Sequence, residues 1–560
     1  MPDDGGKVAP MANVRVTFDN NPSNARSESS VAINPNNPLQ IVAASKRFTN
    51  IHTYDFTLAT EYSSDGGQTW QPSAQLALPQ GATVMTDPTL AWDDSNNVFL
   101  VGLTGFNPPT WDTIGIVIYQ SSDGGQTWRP PNPIHSSPGD DKQWAAGDAF
   151  AGSAFKGNVY AIWDNGGLAF ARTTDHGATW KGTAGAAAGN LISTGTVYPE
   201  ITVADDGTVM IVSTDAASVV KMLVSHDGGD SFQSTTNPAS GIVTLEDAAP
   251  SIGGWSVLPG GTFRVISDPT VASRGGITLV AWADYREGAS RIYYVRSTDG
   301  GNTWSSASGE PLLTAAFPSN IHHVMPQIVV DAAGVFGCVY YEFGPKPTKM
   351  LIDVVLSLSF DGGITFGRDV LTDEPWDPSV DAPWSHGNSA VTFIGDYMGL
   401  DASARGFQPL WTDTRTGIQE LFTTTVPADL GLCIVEFLNE LSSGEIRLLR
   451  AFRDQQMAQS PLGRRLTSLI QLHGPEVARL LTADNALQSQ AADLVRRAFV
   501  IVNSARSSEP VRVDQAMVQA LTAMVDRLSQ IGGPSLKRDI QRMRPELDRI
   551  NGRTAAEILQ

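Results

Sequence analysis

One eight-residue pattern occurs six times in this chain, and it limits the fold more than any other feature. The copies are Ser63–Trp70, Ser121–Trp128, Thr173–Trp180, Ser225–Phe232, Ser297–Trp304 and Ser359–Phe366. Their common form is Ser/Thr-x-Asp-x-Gly-x-Thr/Ser-aromatic. Recurrence at a fixed period of tens of residues is the mark of an array of similar supersecondary units. Each residue type has a local reason. The Asp side chain accepts hydrogen bonds from its own turn, and Gly takes positive φ without strain. The aromatic ring then pins the hairpin onto the layer beside it. The 53 glycines suit such a turn-rich β protein.

The pattern resembles the Asp-box, the BNR-repeat hairpin turn of sialidase-like β-propellers. In that family the box is structural and lies away from the active site. The resemblance therefore makes Asp65, Asp123, Asp175, Asp227, Asp299 and Asp361 fold staples rather than catalysts.

Two further strand signals precede each box, so the units can be aligned. First strands begin at Glu28-Ser29-Ser30-Val31, Asp87-Pro88-Thr89-Leu90, Asp148-Ala149-Phe150-Ala151, Tyr198-Pro199-Glu200-Ile201, Asp268-Pro269-Thr270-Val271, Met325-Pro326-Gln327-Ile328 and Asp396-Tyr397-Met398-Gly399. Second strands are apolar, β-branched and aromatic, as in NVYAIWD, ITLVAWAD and VFGCVYYE. That makes seven units. The seventh has no box, and its missing outer strand has a donor in Asn13–Phe18, which alternates like a strand. Propellers close their rings by letting one terminus complete the last blade. The expectation is an all-β propeller of seven blades over residues 1–430, with six blades the alternative.

After Val426-Pro427 the strand signals stop. Helical spacing follows over Cys433–Arg453, Pro461–Leu472, Pro475–Leu481, Ala486–Val502, Val511–Ile531 and Leu536–Ile550, which predicts a small all-α bundle over residues 431–560. This part resembles helical C-terminal regions appended to some bacterial surface or secreted proteins, and it offers a surface for a protein partner or a tether.

Charge divides the chain at the same place. Residues 1–430 carry 21 Lys+Arg against 44 Asp+Glu, net −23, and residues 431–560 carry 17 against 14, net +3. So acidic a front part argues against nucleic acid, which needs a basic footprint. No apolar run approaches the ~20 residues that span a bilayer. The N-terminus lacks the basic-then-apolar pattern of a signal peptide. The family resemblance nevertheless implies an extracellular or cell-surface setting. The two cysteines, Cys338 and Cys433, make no disulfide framework.

In a propeller the start of each first strand and the end of each second strand share one face, and the Asp-box turns lie on the other. That places Glu28, Asp87, Asp148, Asp268 and Asp396 around the channel mouth. Second strands end in Lys46-Arg47, Asp284-Tyr285-Arg286, Tyr341-Glu342 and Asp413-Thr414-Arg415. Resemblance to sialidases implies three arginines for a sugar carboxylate, a Tyr–Glu pair as nucleophile and an Asp as acid/base. The residues matching by type and face are Arg47, Arg286 and Arg415, with Arg26 and Arg264 in reserve. Tyr341 with Glu342, or Tyr285, matches the nucleophile, and Asp87 or Asp148 the acid. Trp144, in the acidic and aromatic loop leading into blade three, can stack on a sugar, and Tyr285 can line the site.

The pattern also departs from that family. The aromatic-Arg-Ile/Val-Pro signature is absent, sialidases have six blades, and seven-bladed Asp-box hydrolases work with acidic pairs and no arginine clamp. Two structural readings stand beside the catalytic one. The repeated Trp-x-Asp-x-Arg at Trp282–Arg286 and Trp411–Arg415 can be Asp–Arg stitching between blades. An acid at a first-strand start can hold turn amides or a structural Ca²⁺ ion. His322 and His323 read as ordinary loop residues whose side chains point apart. The sequence thus supports two functions, neither needing a cofactor: a sialidase-like glycoside hydrolase acting on a glycan at the channel mouth, or a non-catalytic propeller that binds a glycan or protein.

Overall fold

The computed structural model describes residues 13–105, 114–347, 349–426, 484–504, 509–547 and 549–559, with residues 449, 452, 477, 480 and 481. Seven antiparallel sheets form seven blades around a central channel. Their innermost strands are Arg26–Ile33, Val84–Trp92, Asp141–Gly147, Thr196–Val203, Thr270–Arg274, His322–Val330 and Gly399–Ser403. In blade seven the outer strand is Val14–Arg15, paired antiparallel with Glu420–Thr423 (Val14↔Thr423, Arg15↔Phe422). Val16 N then donates to Leu421 O at 2.9 Å, and Leu421 N to Thr17 Oγ1 at 3.0 Å. The ring closes through its N-terminal strand, as the unit count requires.

The core lies between blades rather than within them. One buried cluster joins blades one and two (Val42, Leu58, Leu90, Leu100, Tyr119), another two and three (Phe99, Val101, Ile116, Trp163), and others continue round the ring. Each Asp-box aromatic sits at the seam with the preceding blade. Trp70 belongs to the cluster joining blade seven to blade one, Trp128 packs on that of blades one and two, and Trp180 on that of two and three. The box is built as its residues predict: Asp65 Oδ1 accepts from Ser63 Oγ (2.8 Å) and Thr69 N (2.9 Å), and Oδ2 from Thr69 Oγ1 (2.6 Å). Gly66 and Gly67 take φ of 77° and 86°. Burial opposes the Asp227 charge, but bonds from Ser231 and Ser225 outweigh it and hold the carboxyl at about 2.

A second device joins the inner strands. Their channel-side edges have no strand partner, and side chains of the neighbouring blade take several of the free amides. Leu90 N donates to Ser30 Oγ (3.1 Å), Ala145 N to Thr89 Oγ1 (3.2 Å), Val271 N to Glu200 Oε1 (2.9 Å), Ile328 N to Thr270 Oγ1 (3.1 Å) and Gly399 N to Ser29 Oγ (3.2 Å). Strands must run close for this. At Gly147 a Cβ would lie 1.9 Å from the Trp92 carbonyl oxygen, so only glycine fits.

Three sequence expectations need correction. Blade three's inner strand is Asp141–Gly147, so the stretch read as a loop before the blade is the strand itself. Blade seven's begins at Gly399, not Asp396. His322 and His323 lie in a strand and are buried, although they do point apart. In the tail, helices form over Asn485–Asn503, Gln515–Ile531, Pro534–Leu547 and Ala555–Leu559. Asp514 caps the second by accepting from Met517 N at 2.7 Å, which sets its start later than Val511. Pro534 stands at a helix start, whereas Pro545 lies inside the helix. The expected helices Cys433–Arg453, Pro461–Leu472 and Pro475–Leu481 fall outside the described residues, apart from the few positions given above. No described helix is long and apolar enough to cross a membrane.

Candidate functional site at the channel mouth

Five inner strands open with a β-bulge in which one non-glycine residue has a left-handed backbone: Glu28 (φ 50°), Asp87 (53°), Lys142 (44°), Tyr198 (55°) and Met325 (54°). Asp268 and Asp396 hold the corresponding place in blades five and seven. Bulges re-aim side chains and gather at functional sites, as does αL strain in residues other than glycine. Repetition around the ring turns seven side chains toward one spot.

Three cations meet that ring, each paired. Lys46 Nζ lies 3.4 Å from Glu28 Oε2, Lys142 Nζ 3.0 Å from Asp268 Oδ2, and Arg264 forks onto both oxygens of Asp396. Aromatic rings complete each cage. Lys46 Nζ stands 4.2 Å from the Phe56 centroid, 4.6 Å from Phe393 and 4.7 Å from Tyr54, and Lys142 Nζ 4.7 Å from Trp144 and 4.8 Å from Tyr397. Arg264 arrives on one of two long connections that knit over the mouth. Arg264 N donates to Thr392 O at 3.1 Å and Thr392 N to Thr262 O at 2.9 Å. On this roof Trp255 stacks on His386 at 4.8 Å and His386 on Tyr54 at 4.5 Å.

Several acids around the mouth, paired and unpaired, are displaced from ordinary carboxyl behaviour. Burial, with the charge of Asp87 beside it, pushes Asp141 up to about 6, although Asp141 reaches solvent. Burial raises Glu28 well above the usual range, and Asp87 adds to this. Burial also takes Asp164 to about 8 and Glu246 to about 7. Below the ring, Trp144, Glu200 and Gln327 line both the mouth and a lower cavity of about 550 Å³ walled by the inner strands.

Of the residues singled out from sequence, the structure brings Asp87, Trp144, Glu28, Asp268, Asp396 and Arg264 to the mouth. The others lie elsewhere. Asp148 follows the inner strand into the hairpin on the Asp-box face, where Oδ2 accepts from Ser153 Oγ at 2.5 Å. Arg286 forks onto Asp284 (2.8 and 2.5 Å), donates to Ser308 O and lies 4.2 Å over the Tyr293 ring, all within its own blade. Arg415 places Nε and Nη2 on the single Oδ2 of Asp413 (3.0 and 2.6 Å) over Phe422, and adds Asp373 and Asn13. Arg47 pairs weakly with Asp19 at 3.6 Å, while Arg26 is tied to Asp19 and Glu61. Arg47, Arg286 and Arg415 therefore have separate partners and form no common clamp.

Tyr341 and Glu342 make no dyad. The Tyr341 hydroxyl accepts from Thr412 N at 3.0 Å on one side, while Glu342 meets His323 (3.2 Å) and Arg368 (2.7 Å) on the other. Tyr285 packs parallel to His322, 6.2 Å between rings. Among the described residues, one group of three potential metal ligands is close together: Asp93, Asp94 and His176, on the Asp-box face.

Sequence reasoning missed Asp141 and Lys142 as mouth residues, and it set Lys46 on the mouth face without a role. For Asp141 and Lys142 the signal was present: Lys142-Gln143-Trp144 stands where Asp87-Pro88-Thr89 does in blade two, but blade three was aligned on Asp148 instead.

Residues 52–288 match the family described as the BNR repeat-like domain. The chain is a seven-bladed β-propeller with six Asp-boxes, and the matched stretch is its BNR repeat-like part. No curated protein matches the propeller chain. Among solved structures it is similar to a protein of unknown function from Dyadobacter fermentans, at 14% identity and TM-score 0.43, covering 75% of this chain and 99% of that one. It is also similar to a Trypanosoma rangeli sialidase in complex with sialic acid, at 13% identity and TM-score 0.40, covering 79% and 63%. An α-L-arabinofuranosidase from Fusarium graminearum aligns at 12% identity and TM-score 0.32, covering 52% and 93%. At these levels none of them brings a residue role to the Asp-box propeller.

Proposed function

We propose that this Asp-box propeller is a glycoside hydrolase working with a carboxyl pair, Asp87 and Asp141, and without an arginine clamp. The observation that carries the reading is the neighbouring placement of the two acids at the mouth, where enclosure of its carboxyl and the charge of Asp87 hold Asp141 up to about 6 while the residue keeps an edge in solvent. Glycoside hydrolysis needs one carboxyl to keep its proton for the leaving oxygen and another to stay ionised as base or nucleophile. Asp141 suits the first task, and Asp87 is the carboxyl beside it. Trp144 and the Trp255–His386 stack supply ring faces for a sugar. The chemistry uses side chains alone and calls for no cofactor. A sialic acid clamp is disfavoured because Lys46, Lys142 and Arg264 are each matched by a carboxylate.

That same matching favours a second reading, a mouth that binds a glycan without cleaving it. A panel of neutral, amino and sialyl glycosides, followed by reducing-sugar release, separates the two. The expected result is hydrolysis that is lost as pH rises through about 6, because Asp141 gives up its proton. Asp141→Asn and Asp87→Asn should each abolish turnover while binding persists. Binding without turnover by the wild-type protein on every glycoside would leave the second reading, and no binding at all would remove both.

A further inference from the structure

Once the three cation–carboxylate pairs are set aside, the mouth holds an excess of acceptors. Among the described residues, Asp87, Asp141, Asp164 and Glu246 make no ion pair. Asp164, 9% exposed, uses Oδ2 to accept from Tyr198 N at 3.0 Å, and its Oδ1 has no hydrogen-bond partner. Gln143, 0% exposed, donates its amide nitrogen to the Asp87 backbone carbonyl, and its Oε1 also has no partner. Two buried acceptors lacking donors beside unpaired carboxyls call for a group that brings donors and positive charge.

A sugar hydroxyl brings one donor and no charge, and a sugar carboxylate brings neither. A metal ion needs its ligand atoms close together, and the one such group among the described residues is on the opposite face. An ammonium brings three donors and a charge. The mouth already houses this chemistry twice, holding Lys142 between Asp268 and two rings, and Lys46 between Glu28 and a ring cage. Burial pushes Asp164 to about 8 and Glu246 to about 7, and a nearby cation offsets such a cost.

We infer that the mouth takes a glycan bearing a free amino group, with the ammonium placed between Asp141, Asp164 and the Gln143 amide oxygen. The inference rests on the glycan reading and names its substrate class. Titration calorimetry on the full chain, with trimers of glucosamine, N-acetylglucosamine and glucose and with sialyllactose, tests it. The glucosamine trimer should bind about tenfold or more tighter than the two neutral trimers, as a charge-assisted hydrogen bond implies. Asp164→Asn keeps an oxygen for Tyr198 N, so the fold should hold. The variant should lose most of the amine preference. Equal affinity for the three trimers, tighter sialyllactose, or an unchanged preference in Asp164→Asn overturns the amine assignment and leaves glycan binding standing. Failure of every oligosaccharide to bind overturns the glycan reading itself.

Discussion

Arg286 shows how a residue of the right type, on the right face, is spent on structure. The Trp282 indole donates to Asp284 Oδ2 at 3.0 Å, and Arg286 forks onto the same carboxylate. Trp411, Asp413 and Arg415 repeat the arrangement in blade seven. Asp284 and Asp413 are fully buried, so each needs its guanidinium in place. An ammonium cannot reproduce the fork. Arg286→Lys should cost about 1–3 kcal/mol of stability and lower the melting temperature, leaving glycan binding intact. A variant with wild-type melting but weakened binding would return Arg286 to the site. The motif was legible as stitching between blades or as a clamp, and the partners of Arg286 fit neither, because all of them lie within its own blade. Tyr341 and Glu342 were separated by simple strand alternation, which turns consecutive side chains to opposite faces.

Inner strands carry two features that single-strand patterning does not reveal. The bulge residues take αL backbone, which side chains other than glycine adopt at a cost of order 1–3 kcal/mol, and they do so at the mouth in five blades. Two positions on, a hydroxyl or carboxylate reaches the next blade's inner-strand amide, as Thr89 does for Ala145. Thr89→Val keeps the shape and removes the acceptor, leaving a buried N–H unpaired. That should cost about 1–3 kcal/mol, measured by denaturant unfolding. A loss below about 0.5 kcal/mol would mean that these bonds do not hold the strands together. The Ser, Thr and Glu at these positions are visible in the sequence, but their acceptor role depends on blade-to-blade distance. The same dependence explains the misplacement of blade three: an apolar strand read along one chain has no marker for where its bulge falls, and Asp148 offered a plausible start.

Across the whole molecule, closure depends on a short piece of N-terminal chain. Val14–Arg15 supplies the outer strand of a blade whose other strands come from residues 399–423. Deleting residues 1–20 should expose that edge and take Val16 out of the blade seven–one core, with lowered melting and aggregation. Unchanged melting of the shortened, monomeric protein would show that the ring closes without this strand. The sequence by itself determined the blade number, this closure and the Asp-box staples, because each rests on local turn chemistry and on strand periodicity that repeat along the chain. Only the tertiary structure decided the site. The channel mouth is assembled from one residue at the head of the inner strand in each of seven blades, five of them on a bulge, and a roof from two distant connections, so its pairing of cations with acids, and the carboxyls left over, depend on distances between segments hundreds of residues apart.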